Sequence, residues 1–275
     1  MTERAKPYIG VSGVGSRDMQ HRLIDMFDTA NLTNDRDLML GVKALHKCQW
    51  LDQPWSRDDA WDIVGERTFR TVLERDARTT NVAQAYFDAR DVGDTWYRHA
   101  FLERIYARGA NWIDGIQFDS FPWHENRDML TFLHETKERF PDTRIYLQCH
   151  EKSMQRYTPV QLAKLLGAHA KALDYILFDA SHGKGVRLNV AQLSPYIEEA
   201  YESAALAHVG VALAGGLYGP VVREDLPELV AAFPDLSWDA EGKLHPADEE
   251  GRMGLDETRV RDYFAASAEV LHLNG

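Results

Sequence analysis

Cysteine is nearly missing from this chain: Cys48 and Cys149 are the only two among its 275 residues. That excludes a disulfide framework and leaves room for one bridge at most. Long apolar runs are missing too. No window reaches the roughly 18 apolar residues of a membrane span. The polar start Met1-Thr2-Glu3-Arg4-Ala5-Lys6-Pro7, followed by a short apolar run broken by glycines, is not a signal peptide. These absences point to a cytoplasmic protein with reduced thiols. Positive charge is also scarce: 31 Lys and Arg stand against 43 Asp and Glu, for a net charge of −12. Phosphate backbones need a basic footprint, and anionic membranes attract basic segments. Nucleic acid and membrane are therefore excluded as partners. A small anionic ligand is not, since it needs only a few local donors.

What the chain does have is a repeated alternation. Short, near-continuous apolar runs occur at Tyr8 to Val11, Leu38 to Val42, Val82 to Phe87, Ile113 to Phe118, Ile145 to Cys149, Tyr175 to Phe178, Val209 to Leu213 and Leu236 to Trp238. Strands covered on both faces look like this. Between them, Asp18 to Ala30, Thr95 to Arg108, Arg127 to Phe140 and Asp256 to Leu271 carry helical periodicity, and Thr158-Pro159-Val160-Gln161 is a helix start. Eight strands at roughly 30 to 35 residues each fit a (β/α)₈ TIM barrel. A doubly wound open sheet is the rival, but Gly10-Val11-Ser12-Gly13-Val14-Gly15 is not the G-x-G-x-x-G that such a sheet carries after its first strand. The expectation is an α/β chain folded as one barrel domain over residues 1–275, with the stretch Asp235 to Gly254 as a long loop after the last strand.

In a barrel the active site lies at the carboxyl ends of the strands. Ser12, Lys43, Asp88, Asp119, His150, Asp179 and Asp239 each follow an apolar run. Singly, an Asp there is often a helix cap. Together they suggest reacting groups converging on one mouth. Asp179 leads into the glycine-flanked Ala180-Ser181-His182-Gly183-Lys184-Gly185, where backbone can approach a ligand closely. Burial can tune such an aspartate for general acid or base work. Gly215 and Gly216 end the seventh strand, where barrels commonly bind phosphate. Lys43 suits an anion partner or an ion pair better than covalent catalysis. Cys149 is expected to pack rather than react. Asp119, His150, Asp179 and His182 are acceptable metal ligands. With no HExxH and no paired cysteines, however, no metal and no cofactor is expected. His124, His134, His169 and the other histidines are expected at the surface or internally satisfied.

Four stretches carry a resemblance to a known family, in order along the chain. Gly10-Val11-Ser12-Gly13-Val14 resembles its first strand, and Gly115-Ile116-Gln117-Phe118-Asp119 its fourth. Asp179 with the loop through Gly185 resembles its sixth, and Leu213-Ala214-Gly215-Gly216-Leu217 its seventh. The family is phosphoribosylanthranilate isomerase, a ribulose-phosphate-binding barrel. The resemblance implies an acid/base isomerase of aldose–ketose type, with Asp179 as general acid and Gly215 and Gly216 at the phosphate. The family's base is a cysteine where this chain has Ser12, so Lys43 or Asp119 has to serve. His150, His182, Lys184 and Asp239 complete the expected substrate contacts. In strand eight the family's phosphate donors are replaced by Ser237-Trp238-Asp239-Ala240-Glu241-Gly242, which adds carboxylates where a phosphate should sit. The expectation is a diverged isomerase for a small sugar-derived or carbonyl substrate, with a homodimer allowed. The alternatives are a lyase or Schiff-base aldolase using Lys43, and a non-catalytic barrel binding a small ligand or a protein.

Overall fold

The computed structural model describes residues 4–45, 69–87, 95–107, 109–119, 121–125, 128–179, 186–246 and 254–273. Cys48, Asp88, His182 and Lys184 lie outside the described residues. Eight strands close a parallel barrel in sequential order. They are β1 (Tyr8–Ser12), β2 (Asp37–Leu45), β3 (Thr79–Tyr86), β4 (Gly115–Asp119), β5 (Arg144–His150), β6 (Tyr175–Asp179), β7 (Gly210–Ala214) and β8 (Ser237–Ala240). The ring closes where β8 pairs with β1, Gly10 lying opposite Asp239. The helices are α1 (Arg17–Thr29), α2 (Phe69–Val72), α3 (Thr95–Ala107), α4 (Asp128–Arg139), α5 (Glu151–Arg156), α6 (Pro159–Ala168), α7 (Val190–Glu202), α8 (Gly219–Asp225), α9 (Pro227–Ala232) and α10 (Glu257–His272). No helix among the described residues is long and apolar enough to cross a membrane.

Local sequence explains where the helices start. The Ser16 hydroxyl accepts from the Met19 amide at the head of α1. Thr158 and Gln161 form a reciprocal capping box at α6, with Pro159 in the first turn. Asp256 accepts from the Thr258 and Arg259 amides at α10. Each cap satisfies amide groups that the first helical turn leaves without an internal partner.

Side chains along each strand alternate between two cores. The outward set, including Val11, Leu40, Phe118, Leu147, Phe178, Leu213 and Trp238, packs under the helices. The inward set includes Tyr8, Met39, Val82, Tyr146, Tyr175, Leu177 and Ala212. The aromatic members stand near the strand starts. Tyr146 and Tyr175 stack at 4.4 Å, and Tyr8 meets both edge-on at 5.9 and 5.4 Å. The amino-terminal half of the barrel is thus a packed aromatic plug. The polar side chains of the candidate site lie in the other half.

One boundary differs from expectation. The loop expected over Asp235 to Gly254 contains all of β8, and Asp239 lies inside that strand instead of after it. The inward–outward alternation Ser237, Trp238, Asp239 explains this. Trp238 is fully buried on the helix side, where its indole donates to Ser267 Oγ at 3.1 Å. Asp239 therefore faces the barrel interior.

Candidate active site

The polar half of the barrel is organised around Ser12, the last residue of β1. Its hydroxyl lies 3.0 and 3.1 Å from the two oxygens of Asp239, to which it donates. The Gln84 amide of β3 donates to the same hydroxyl oxygen at 2.7 Å. Two glycines make room for the trio. A methyl group at Gly41 would sit 2.5 Å from Ser12 Oγ, and one at Gly10 would sit 2.9 Å from an Asp239 oxygen. From outside the barrel, Tyr263 of α10 donates to the Gly10 carbonyl at 3.1 Å and pins β1 beside the cluster.

His245, in the turn after β8, closes this side. Its Nε2 donates to the Ser12 carbonyl at 2.8 Å, which fixes the tautomer. Burial lowers its pKa, against the pull of that carbonyl, so the ring is held neutral. Gly13, with φ +85°, brings the backbone against the ring; a methyl there would sit 2.9 Å from Nε2.

Around the rim, Lys43 Nζ is 2.6 Å from Glu241 Oε1 and lies 5.7 Å from the centre of the Tyr86 ring. Tyr86 is hydrogen-bonded to Asp119. The Gln148 amide donates to Asp179 Oδ2 at 2.9 Å. The main-chain carbonyl of Gln148 accepts from the Trp123 indole at 3.0 Å. His150 and Asp179 are paired across β5 and β6. The His150 ring meets that of His124 edge-on at 4.9 Å.

Burial acts strongly on one carboxyl, Asp239. Burial raises the Asp239 pKa well above the usual carboxylate range. Glu241 pushes it further, the Ser12 hydroxyl works against the rise, and Asp119 and Asp179 add to it. Burial likewise raises the Tyr86 phenol, with Asp119 and Glu241 reinforcing it. Among the described residues no three His, Cys, Asp or Glu side chains are gathered to hold a metal ion.

Most of the residues picked out by sequence are therefore at one end of the barrel: Ser12, Lys43, Asp119, His150, Asp179 and Asp239. Gly215 and Gly216 form the turn after β7 with φ of +110° and +64°, backbone that favours glycine. Cys149 is fully buried in β5, and burial raises its thiol pKa. His124 and His245, expected at the surface or internally satisfied, are buried, at 4% and 0% exposure, and lie beside the site residues His150 and Ser12. Sequence reasoning missed Gln84, Gln117, Gln148 and Tyr86. Gln84, Gln117 and Gln148 each stand two residues before a polar strand-end residue, on the same side of the strand, and that spacing was available as a signal.

No protein-family model matches the chain, and no curated protein matches it. Solved structures do. The tryptophan synthase alpha chain of Legionella pneumophila subsp. pneumophila is 14% identical with a TM-score of 0.53, covering 100% of this chain and 93% of that one. The octameric ribulose-1,5-bisphosphate carboxylase/oxygenase of Pyrococcus horikoshii OT3 is 14% identical with a TM-score of 0.51, covering 97% of this chain and 59% of that one. A thermostable mutant xylanase of Cellvibrio japonicus is 8% identical with a TM-score of 0.50, covering 96% and 97%. By name these three do different chemistry, so the likeness carries the fold and not the reaction. The fold they share with this chain is the closed parallel eight-stranded barrel.

Proposed function

We propose that the carboxyl end of this barrel is an acid–base active site, and that the chain is an isomerase for a small sugar-derived or carbonyl substrate. The observation that supports it most is that two buried carboxyls are held by hydrogen bonds at the strand ends: Asp239 by the Ser12 hydroxyl, with its pKa raised by burial, and Asp179 by the Gln148 amide at the end of β6. Burial favours the protonated form of Asp239, which suits it as the acid. Asp179 or Asp119 takes a proton from the carbon next to a carbonyl, and the enediol is reprotonated at the neighbouring carbon. Ser12 serves to hold the Asp239 carboxyl in place and not as the base. Resemblance to phosphoribosylanthranilate isomerase supports aldose–ketose chemistry, although there Asp179 corresponds to the acid.

Lys43 is disfavoured as a Schiff-base nucleophile, because Glu241 at 2.6 Å holds it as an ammonium and an amine must be neutral to attack. The test is deuterium wash-in at carbon next to carbonyl, followed by NMR in D₂O over a panel of aldoses, ketoses and simple ketones. Wild-type protein exchanges a member of the panel, and Asp179→Asn lowers that rate by about 10²-fold or more. No exchange by the wild type with any member rejects the reading and leaves the non-catalytic binding barrel.

A further inference from the structure

We infer that the ligand of this site carries a positively charged nitrogen and hydrogen-bond donors, and is not a phosphate ester; this rests on the mouth being the ligand site, as proposed above. The reason lies in how hydrogen-bonding capacity is distributed. Among the described side chains of the mouth, several donors already serve acceptors of the protein. The Gln84 amide is on Ser12, the Ser12 hydroxyl on Asp239, the Gln148 amide on Asp179, and the Lys43 ammonium on Glu241. Tyr86 is bonded to Asp119.

Acceptors are in surplus. The side-chain oxygens of Gln84, Gln117 and Gln148 are buried with no hydrogen-bond partner, in residues only 1%, 2% and 7% exposed. All three sit in the polar half. Gln84 is on the Ser12 cluster, Gln117 pairs with Gln84 across β3 and β4 and precedes Asp119 by two residues, and Gln148 is on Asp179. An uncompensated buried acceptor is unfavourable, and a donating ligand relieves it. Charge points the same way: among the described residues the carboxyls of Asp119, Asp179 and Glu241 stand at the mouth with the Lys43 ammonium, which is paired to Glu241. An ammonium or aminosugar supplies both the charge and the N–H and O–H groups. A phosphate would add acceptors to acceptors.

The test is calorimetric titration of the full chain with D-glucosamine, D-glucose, D-glucose 6-phosphate and inorganic phosphate, separately. Glucosamine is expected to bind at least about tenfold more tightly than glucose, as a charge-assisted bond in a partly buried site implies. Asp119→Asn is expected to weaken glucosamine by about tenfold. Gln117→Met serves as the second variant, because it removes an unsatisfied oxygen. It is expected to leave the melting temperature unchanged or higher while still weakening glucosamine, a combination that a purely structural role does not produce. Tighter binding of either phosphate, equal binding of glucosamine and glucose, absence of heat with every probe, or glucosamine binding untouched by both variants overturns the inference. Proton exchange reports separately on the reaction. Amine selectivity without exchange would reject the isomerase reading alone, and exchange on a phosphorylated sugar would reject this inference alone.

Discussion

Gly41→Ala and Ser12→Ala, made singly and together, test whether the polar cluster is packed as tightly as its distances imply. The alanine methyl at position 41 would lie 2.5 Å from Ser12 Oγ, 3.0 Å from Ser12 Cβ and 2.9 Å from Gln84 Cδ. Such overpacking costs about 1–3 kcal/mol. Ser12→Ala removes an acceptor from Gln84 and a donor from Asp239. Each buried group left unsatisfied costs about 1–3 kcal/mol. If the two changes were independent, the double variant would lose about 5 kcal/mol. They are not independent, because removing the hydroxyl removes the closest atom the new methyl meets.

The double variant should therefore be less destabilised than the sum by about 1–2 kcal/mol, a coupling of the size found for residues in contact. Urea unfolding followed by circular dichroism measures all three variants. For a chain this long, 1 kcal/mol moves the melting temperature by about 2–4 °C, so each single variant should melt several degrees below the parent. Two results would refute the reasoning. One is a double variant that equals the sum of the singles within about 0.5 kcal/mol. The other is a Gly41→Ala protein that melts with the parent, which would mean that the barrel end is loose enough to absorb a methyl.

Two further outcomes follow from burial. Because the folded Asp239 pKa is raised above the unfolded value of about 3.9, the folded state binds more protons than the unfolded state over the window above that value. Its stabilising share is full below about pH 4 and is lost as pH rises through the folded value. The urea midpoint of the wild type should thus fall between pH 5 and 8 relative to Asp239→Asn; a difference between the two that does not vary with pH contradicts the assignment. In a Cys48→Ser background, Cys149 should be silent to a thiol reagent in the native state and react only on unfolding, since it is fully buried and its thiol pKa is raised; rapid native-state labelling would contradict this.

The barrel was legible because covering a strand on both faces leaves a continuous apolar signature, and all eight runs stand out against the helices between them. β8 was the hardest, at four residues with two of them polar. Its inner face is polar because it lies in the upper half of the barrel, where a neighbour's hydroxyl takes the place of a hydrocarbon. The same cause hid Gln84, Gln117 and Gln148. A glutamine inside an apolar run counts against a strand by propensity, yet stepping back two residues from Tyr86, Asp119 and His150 finds all three. His245 had no such signal. Its partner Ser12 is 233 residues away in sequence, and only closure of the ring brings them together.

Closure also changes what the acidity near the end of the chain means. In sequence, Asp239 and Glu241 form one acidic cluster where the family that the chain resembles holds phosphate, and summed repulsion was the objection to a phosphate. In the fold they part company. Asp239 turns inward, where burial favours its neutral form. Glu241, just past the strand end, is neutralised by Lys43 at 2.6 Å. The repulsion that the two exert is therefore smaller than their count. What still opposes a phosphate is the supply of donors: Lys43, Ser12, Gln84 and Gln148 each already serve an acceptor of the protein's own. An anion at this mouth would compete with those acceptors for its donors, whereas an amine would add to the acceptors' bonds.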